Sequence, residues 1–251
     1  MKIIISPAKK MKTDDVLPWR DLPAFLEKTD RLLAALRAMP AARLKSLWKC
    51  SDAIAGENLR RLERMDLRRG LTPAILSYEG IQYRYMAPDV FTDAQFDYLQ
   101  EHLRILSGFY GLLRPFDGVA PYRLEMQAKL SVDGAKDLYA FWGADLASAL
   151  AQDAGWVLDL ASKEYSDAVA KHLPPSVRLV RCVFGEEHEG RVVEKGTLCK
   201  MARGEMVRYM AEIGAERPED LLAFDRLGHR FSPEHSSENV LVFLRCDNAK
   251  E

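Results

Sequence analysis

Cations and tyrosines recur together at several separated points of this sequence. Lys9 and Lys10 follow Ser6-Pro7-Ala8, and Tyr78, Tyr83 and Arg84 share one short polar stretch. The segment from Ser107 to Met126 carries Tyr110, Arg114, Tyr122, Arg123 and Glu125. Lys163, Glu164 and Tyr165 are consecutive, and Lys200 and Arg203 are spaced to share one face of a helix. A guanidinium fork holds phosphate oxygens in pairs, an ammonium supplies a point charge, and a phenol ring offers a flat face to a base. Brought together, these side chains suit nucleic acid or a nucleotide-like anion. The arginines also have a purely structural alternative, in which Arg114 pairs with Asp117 and Arg123 with Glu125 to hold the long segment in shape.

A second chemistry is proton transfer. Glu125 or Glu164, beside Lys163 and Tyr165, would serve as a general base if an apolar cleft raised its pKa toward neutrality. No phosphate-cradling glycine loop, dinucleotide fingerprint or nucleophile elbow occurs, so no reaction and no cofactor is assigned. His229, Glu234 and His235 are the residue types of a non-haem iron site. They fall in a polar loop without helical ligand spacing, and no metal site is expected. Cys50, Cys182, Cys199 and Cys246 have no CxxC spacing, which argues against zinc and for free, unpaired thiols.

The elements that must position these groups follow from periodicity. Lys2 to Ser6 reads as a first strand, with Lys9 and Lys10 just beyond it. Leu22, Phe25, Leu26, Leu32, Leu33 and Leu36 recur at helical intervals until Pro40 breaks them. A helix from Ala41 to Lys49 and another from Asp52 to Arg64 flank the turn Cys50-Ser51, where the Ser51 hydroxyl is placed to cap the second helix. Further on, strands are expected at 74–76, 104–107, 156–160, 177–184, 190–194 and 239–245. Helices are expected at 93–103, 136–152, from Lys163, and at 200–213. Interleaved strands and helices make an α/β (α+β) fold: a single compact domain over 1–251, its mixed sheet surrounded by helices. Each cationic segment then lies at an element end, and Lys9, Tyr78, Arg114, Arg123, Lys163 and Arg203 are expected to line one concave, electropositive surface.

Composition narrows the classes. The chain has 251 residues, and a net charge of -1 means that any nucleic-acid contact must rest on a local patch. No apolar run approaches the ~20 residues needed to cross a bilayer, and the first apolar stretch is too short for a signal peptide. A cytoplasmic location with no membrane partner is expected.

The stretches SPAKK, LSGFYGLLRPFDGVAPYRLEM, LASKEYSDAV, KMARGEMVRYM and GHRFSPEHSSENVLVFLR resemble the YaaA family from one end of the chain to the other. In the second polar stretch, Ile81 and Tyr85 stand where some relatives carry an acidic and a small residue. The resemblance implies a cytoplasmic protein that protects against hydrogen peroxide by limiting free intracellular iron and oxidative DNA damage. It also implies a mixed α/β fold with a positively charged cleft and a helix-hairpin-helix-like element associated with DNA. The matching hairpin here is 41–64, with Lys45, Lys49, Ser51, Arg60 and Arg61 as its candidate contacts. Its turn lacks the usual glycine, and Asp52 sits where a phosphate would bind, so a packed helix pair with a solvated basic face is the competing reading. The expected partner is DNA, held through its phosphates without sequence preference; an enzyme acting on a nucleotide-like anion in the same cleft is the alternative.

Overall fold

The computed structural model describes residues 1–152 and 154–245. Its first strand, Lys2–Ile5, reads Lys-Ile-Ile-Ile and is buried along its whole length, as a central parallel strand must be. It pairs in parallel with Leu103–Ser107 on one side and with Trp156–Leu160 on the other. Beyond Trp156–Leu160 lie Arg178–His188 and Val240–Arg245, both parallel, and then the antiparallel edge His229–Phe231. Gly111–Leu113 closes the opposite edge antiparallel to Leu103–Ser107, and Arg191–Val193 folds back on the end of Arg178–His188. The expected mixed α/β architecture is therefore the one observed. Among the described residues no helix is long and apolar enough to cross a membrane.

This strand order creates a crevice. The chain leaves the first strand toward Leu103–Ser107, whereas it leaves Trp156–Leu160 in the other direction, toward Arg178–His188. Connections diverging from two neighbouring parallel strands leave a gap at their carboxyl ends, the place where open α/β sheets bind ligands. Ser6 directly follows one strand. Ser162 follows the other and begins the helix Lys163–Ala170.

Two elements differ from the sequence reading. Ala74–Ser77 is a short buried helix, not a strand, because Pro73 sets its entry and the Ala74 and Ile75 amides donate to carbonyls of Asp117 and Pro115. The expected helix over 136–152 is split into Leu138–Trp142 and Asp145–Ala151 by Gly143, whose φ of 52° ends the first piece. Thr92 and Gln95 form a capping box at the start of Asp93–His102.

The hairpin is present, with Ala41–Trp48 and Asp52–Arg64 joined through Lys49 in the left-handed region. Ser51 has the extended backbone of a cap, but its side chain makes no capping hydrogen bond, contrary to expectation. Cys50, Cys182 and Cys199 are free thiols; Cys246 lies outside the described residues.

Candidate functional site

The crevice opens into a cavity of about 350 Å³. Its floor is the pair of strand ends: the Ser162 amide donates to Ser6 Oγ at 2.8 Å, and the two hydroxyls lie 3.1 Å apart. One wall is the short helix Ile81–Met86, which brings Gln82 and Tyr83 inward, and the Tyr83 hydroxyl donates to the Ser6 carbonyl at 3.0 Å. Behind it the long helix Gly196–Ile213 presents Lys200 and Arg203. These two helices approach closely only because Gly204 has no side chain: a Cβ there would lie 2.2 Å from the Gln82 carbonyl oxygen. The remaining wall comes from Tyr122, Arg123, Leu124 and Glu125, with Glu164 and Tyr165 from the helix after Ser162. Lys9 and Lys10 lie at the rim with Glu79, the latter pair set face to face in a small antiparallel ribbon.

Electrostatically this cavity is mixed. Glu125 meets Lys9 at 2.9 Å and Arg123 at 3.5 Å, Lys10 meets Glu79 at 2.7 Å, and Arg203 meets Glu194 at 3.3 Å. Lys200 has no carboxylate partner among the described residues. The cleft is thus less electropositive than a count of its cations suggests. Burial pushes the Glu164 carboxyl above its usual range, opposed by the Gln127 amide it accepts from and reinforced by Glu125.

Three buried side-chain nitrogens on these walls have no acceptor: Gln82 Nε2, Arg123 Nε and Arg203 Nε. A buried donor without a partner costs about 1–3 kcal/mol. All three are donors, and all three belong to residues that line one cavity. That is the arrangement an oxygen-rich ligand would satisfy.

The sequence-selected residues divide accordingly. Lys9, Lys10, Tyr83, Tyr122, Arg123, Glu125, Glu164, Tyr165, Lys200 and Arg203 line the cavity. Tyr78, Tyr110, Arg84, Arg114 and Lys163 do not, so the single surface expected for Lys9, Tyr78, Arg114, Arg123, Lys163 and Arg203 is not formed as a whole. Arg114 holds the long turn instead: its amide and Nε bind the buried Asp117 carboxylate at 2.8 and 3.2 Å, and its terminal nitrogen reaches Asp21 at 3.1 Å. Arg84 and Tyr78 border a separate, smaller hollow, and Lys163 points to solvent.

The tyrosines serve differently from the stacking faces expected of them. Tyr78, Tyr110 and Tyr122 are packed inside, linked by Tyr78–Tyr122 and Tyr122–Ser107 hydrogen bonds of 2.9 and 2.6 Å and by stacking of Tyr122 on Phe109. Burial pushes the Tyr122 hydroxyl up to about 12, so it stays protonated as a link in this network. Sequence reasoning reached the polar segments holding Ser6, Gln82 and Ser162 without selecting those three residues. The signal was available for the serines, which lie one and two residues beyond the ends of their strands.

Within the hairpin, Lys45 is committed to Asp52 at 2.6 Å and Arg61 to Glu57 at 2.6 Å. Lys49 and Arg60 are exposed and have no carboxylate partner among the described residues. The hairpin touches the cavity through Arg123, which donates to the Trp48 carbonyl at 3.4 Å. His229 and His235 are separately engaged, His229 packing on Phe184 and His235 bonding Ser232, and no group of three metal-ligating side chains forms among the described residues.

Comparison with known proteins places this geometry in a family. The profile described as peroxide stress protein YaaA matches residues 1–235. The chain belongs to the YaaA family. Among YaaA-related sequences, a UPF0246 protein of Desulfitobacterium hafniense is 52% identical over 247 residues, covering 98% of both chains. UPF0246 proteins of Lachnoclostridium phytofermentans and Pediococcus pentosaceus are 50% and 49% identical, covering 99% and 98% of this chain and 98% of each relative.

Proposed function

We propose that the cavity binds a small, phosphate-bearing, nucleotide-like molecule, and that the family's peroxide-stress role is exercised through that molecule. The observation carrying this reading is the set of three buried nitrogens without an acceptor, Gln82 Nε2, Arg123 Nε and Arg203 Nε, on residues that line one crevice. Phosphate and carbonyl oxygens of a nucleotide would satisfy them, with the Ser6 and Ser162 hydroxyls at the floor. Size favours a small ligand over a duplex, since about 350 Å³ falls in the ~300–1,000 Å³ range of small-molecule sites. Charge agrees, because most of the cations are already matched by carboxylates. On this reading, lower free iron is a downstream consequence of what the cavity binds.

The test is mass spectrometry of small molecules released when the purified protein is denatured, run beside Arg203→Met. A stoichiometric phosphate compound in the wild type, and none in the variant, is expected. Absence of any such compound, together with no thermal shift on adding nucleoside monophosphates, overturns the reading.

One observation favours a second reading, DNA held through its phosphates. Lys49 and Arg60 on the hairpin are exposed and unmatched, and such a basic face attracts a polyanion in a salt-dependent way. Fluorescence anisotropy on two unrelated duplexes decides it. Binding that falls steeply with salt and is lost on combining Lys49→Glu with Arg60→Glu supports it, whereas binding indifferent to that change refutes it.

A further inference from the structure

Two glutamates face the same cavity under different conditions. Glu125 is flanked by Lys9 and Arg123, so its negative charge is matched on both sides. Glu164 is half-buried, lines the cavity, and has no cation within ion-pairing distance among the described residues. One of its oxygens accepts from the Gln127 amide at 3.1 Å. The charged groups acting on it are Glu125 and Lys9 across the cavity; Arg123, Lys200 and Arg203 line the same cavity, and Lys163 and Asp167 lie on its own helix. Tyr139, from Leu138–Trp142, packs against its backbone, donating to the Glu164 carbonyl at 2.9 Å.

We infer that Glu164 is the proton-carrying residue of this site: an anionic ligand enters together with one proton, and the proton comes to rest on the Glu164 carboxylate. The inference rests on the nucleotide reading above. Its physical basis is that two like charges in a poorly solvated cavity disfavour each other, and the cheaper outcome is neutralisation of the one able to take a proton. Glu125 has Lys9 and Arg123 beside it, whereas Glu164 has no cation within ion-pairing distance among the described residues. Burial already moves Glu164 in the same direction. The sign follows: the ligand raises the carboxyl's pKa further, protons are taken up on binding, and affinity falls as pH rises past the free-state value. The bound complex then holds a carboxylic acid against the ligand, the form needed to donate a proton to a departing oxygen or nitrogen.

Isothermal titration with 3′,5′-cyclic nucleoside monophosphates isolates the residue, because their phosphodiester does not titrate near neutral pH. Titrations are run in two buffers of different ionisation enthalpy, on wild type, Glu164→Gln and Glu125→Gln, each first shown folded by circular dichroism. Between the free-state and bound-state pKa of Glu164, wild type and Glu125→Gln should take up a proton per ligand, and wild-type affinity should fall about tenfold per pH unit. Glu164→Gln should bind without proton uptake and with a flat pH profile. Wild-type binding without proton uptake, or uptake that persists in Glu164→Gln, overturns the inference and leaves the nucleotide reading standing. No binding of either cyclic nucleotides or nucleoside 5′-monophosphates to the wild type overturns both.

Discussion

Replacing Gly204 by alanine tests the packing that builds the cavity. A Cβ at this position would stand 2.2 Å from the Gln82 carbonyl oxygen, 2.9 Å from the Met86 amide nitrogen and 3.0 Å from the Tyr85 Cβ. The nearest two atoms are backbone, so no side-chain rotation relieves the contact. Ordinary contact is about 3.5 Å, so the helices Ile81–Met86 and Gly196–Ile213 must part by roughly 1 Å. Overpacking of this kind costs about 1–3 kcal/mol, and the backbone contact puts it at the upper end. Alanine's better helix propensity offsets about 1 kcal/mol. The net loss is then about 2 kcal/mol, or roughly 4–8 °C in Tm for a chain of this size. Gly56 in Asp52–Arg64 supplies the control: a Cβ there meets only the Arg60 guanidinium at 3.7 Å, so Gly56→Ala should stabilise by about 0.5–1 kcal/mol. Calorimetry measures both, and titration with a nucleoside monophosphate should show weaker binding in Gly204→Ala alone, because Gln82 moves with its helix. An unchanged or higher Tm for Gly204→Ala refutes the packing argument. A lower Tm with undiminished binding refutes the claim that this crossing positions the site.

Other consequences are equally specific. Arg114→Ala should lower stability by about 1–3 kcal/mol in urea denaturation, because the buried Asp117 loses its guanidinium partners, yet nucleotide affinity should not change. Burial raises the Asp117 carboxyl from 3.8 to about 6, so the folded state binds this proton more tightly than the unfolded chain. The associated penalty is fully present above about 6 and disappears below 3.8. Relative to Asp117→Asn, the wild type should therefore gain stability as pH falls from neutral through that window, and a difference that stays flat with pH would exclude it. Burial also pushes the Cys182 thiol up strongly and the Cys199 thiol up to about 11. Peptide mapping after brief native treatment with peroxide or a maleimide should find both unmodified, and rapid modification of either would contradict their placement.

The sequence carried the periodic elements well, because their signals are local. The Ile3-Ile4-Ile5 run and the leucine spacing of the first helix each report burial within a few residues. Ala74–Ser77 was misread because an apolar run of this length fits a strand or a helix, and the deciding hydrogen bonds come from Pro115 and Asp117, far along the chain. Gly143 was passed over because a glycine within a helical pattern looks tolerable until its φ is known. For the site, the cationic segments were found, but their chemistry depended on partners remote in sequence. Arg114 is drawn off to Asp21 and Asp117, Tyr78 and Tyr110 turn inward to the core, and Lys9 is matched by Glu125. Gln82 and Arg203 acquire their significance only where Gly204 lets two helices touch.

The central claim is that the switch-point cavity, through Arg203, holds a nucleotide-like anion. Isothermal titration of nucleoside 5′-monophosphates into wild type, Arg203→Met and Arg114→Ala, with folding checked by circular dichroism, tests it most directly. The account predicts saturable binding at one site per chain in the wild type and Arg114→Ala, and its loss in folded Arg203→Met. Equal affinity in Arg203→Met, or loss confined to Arg114→Ala, would contradict it.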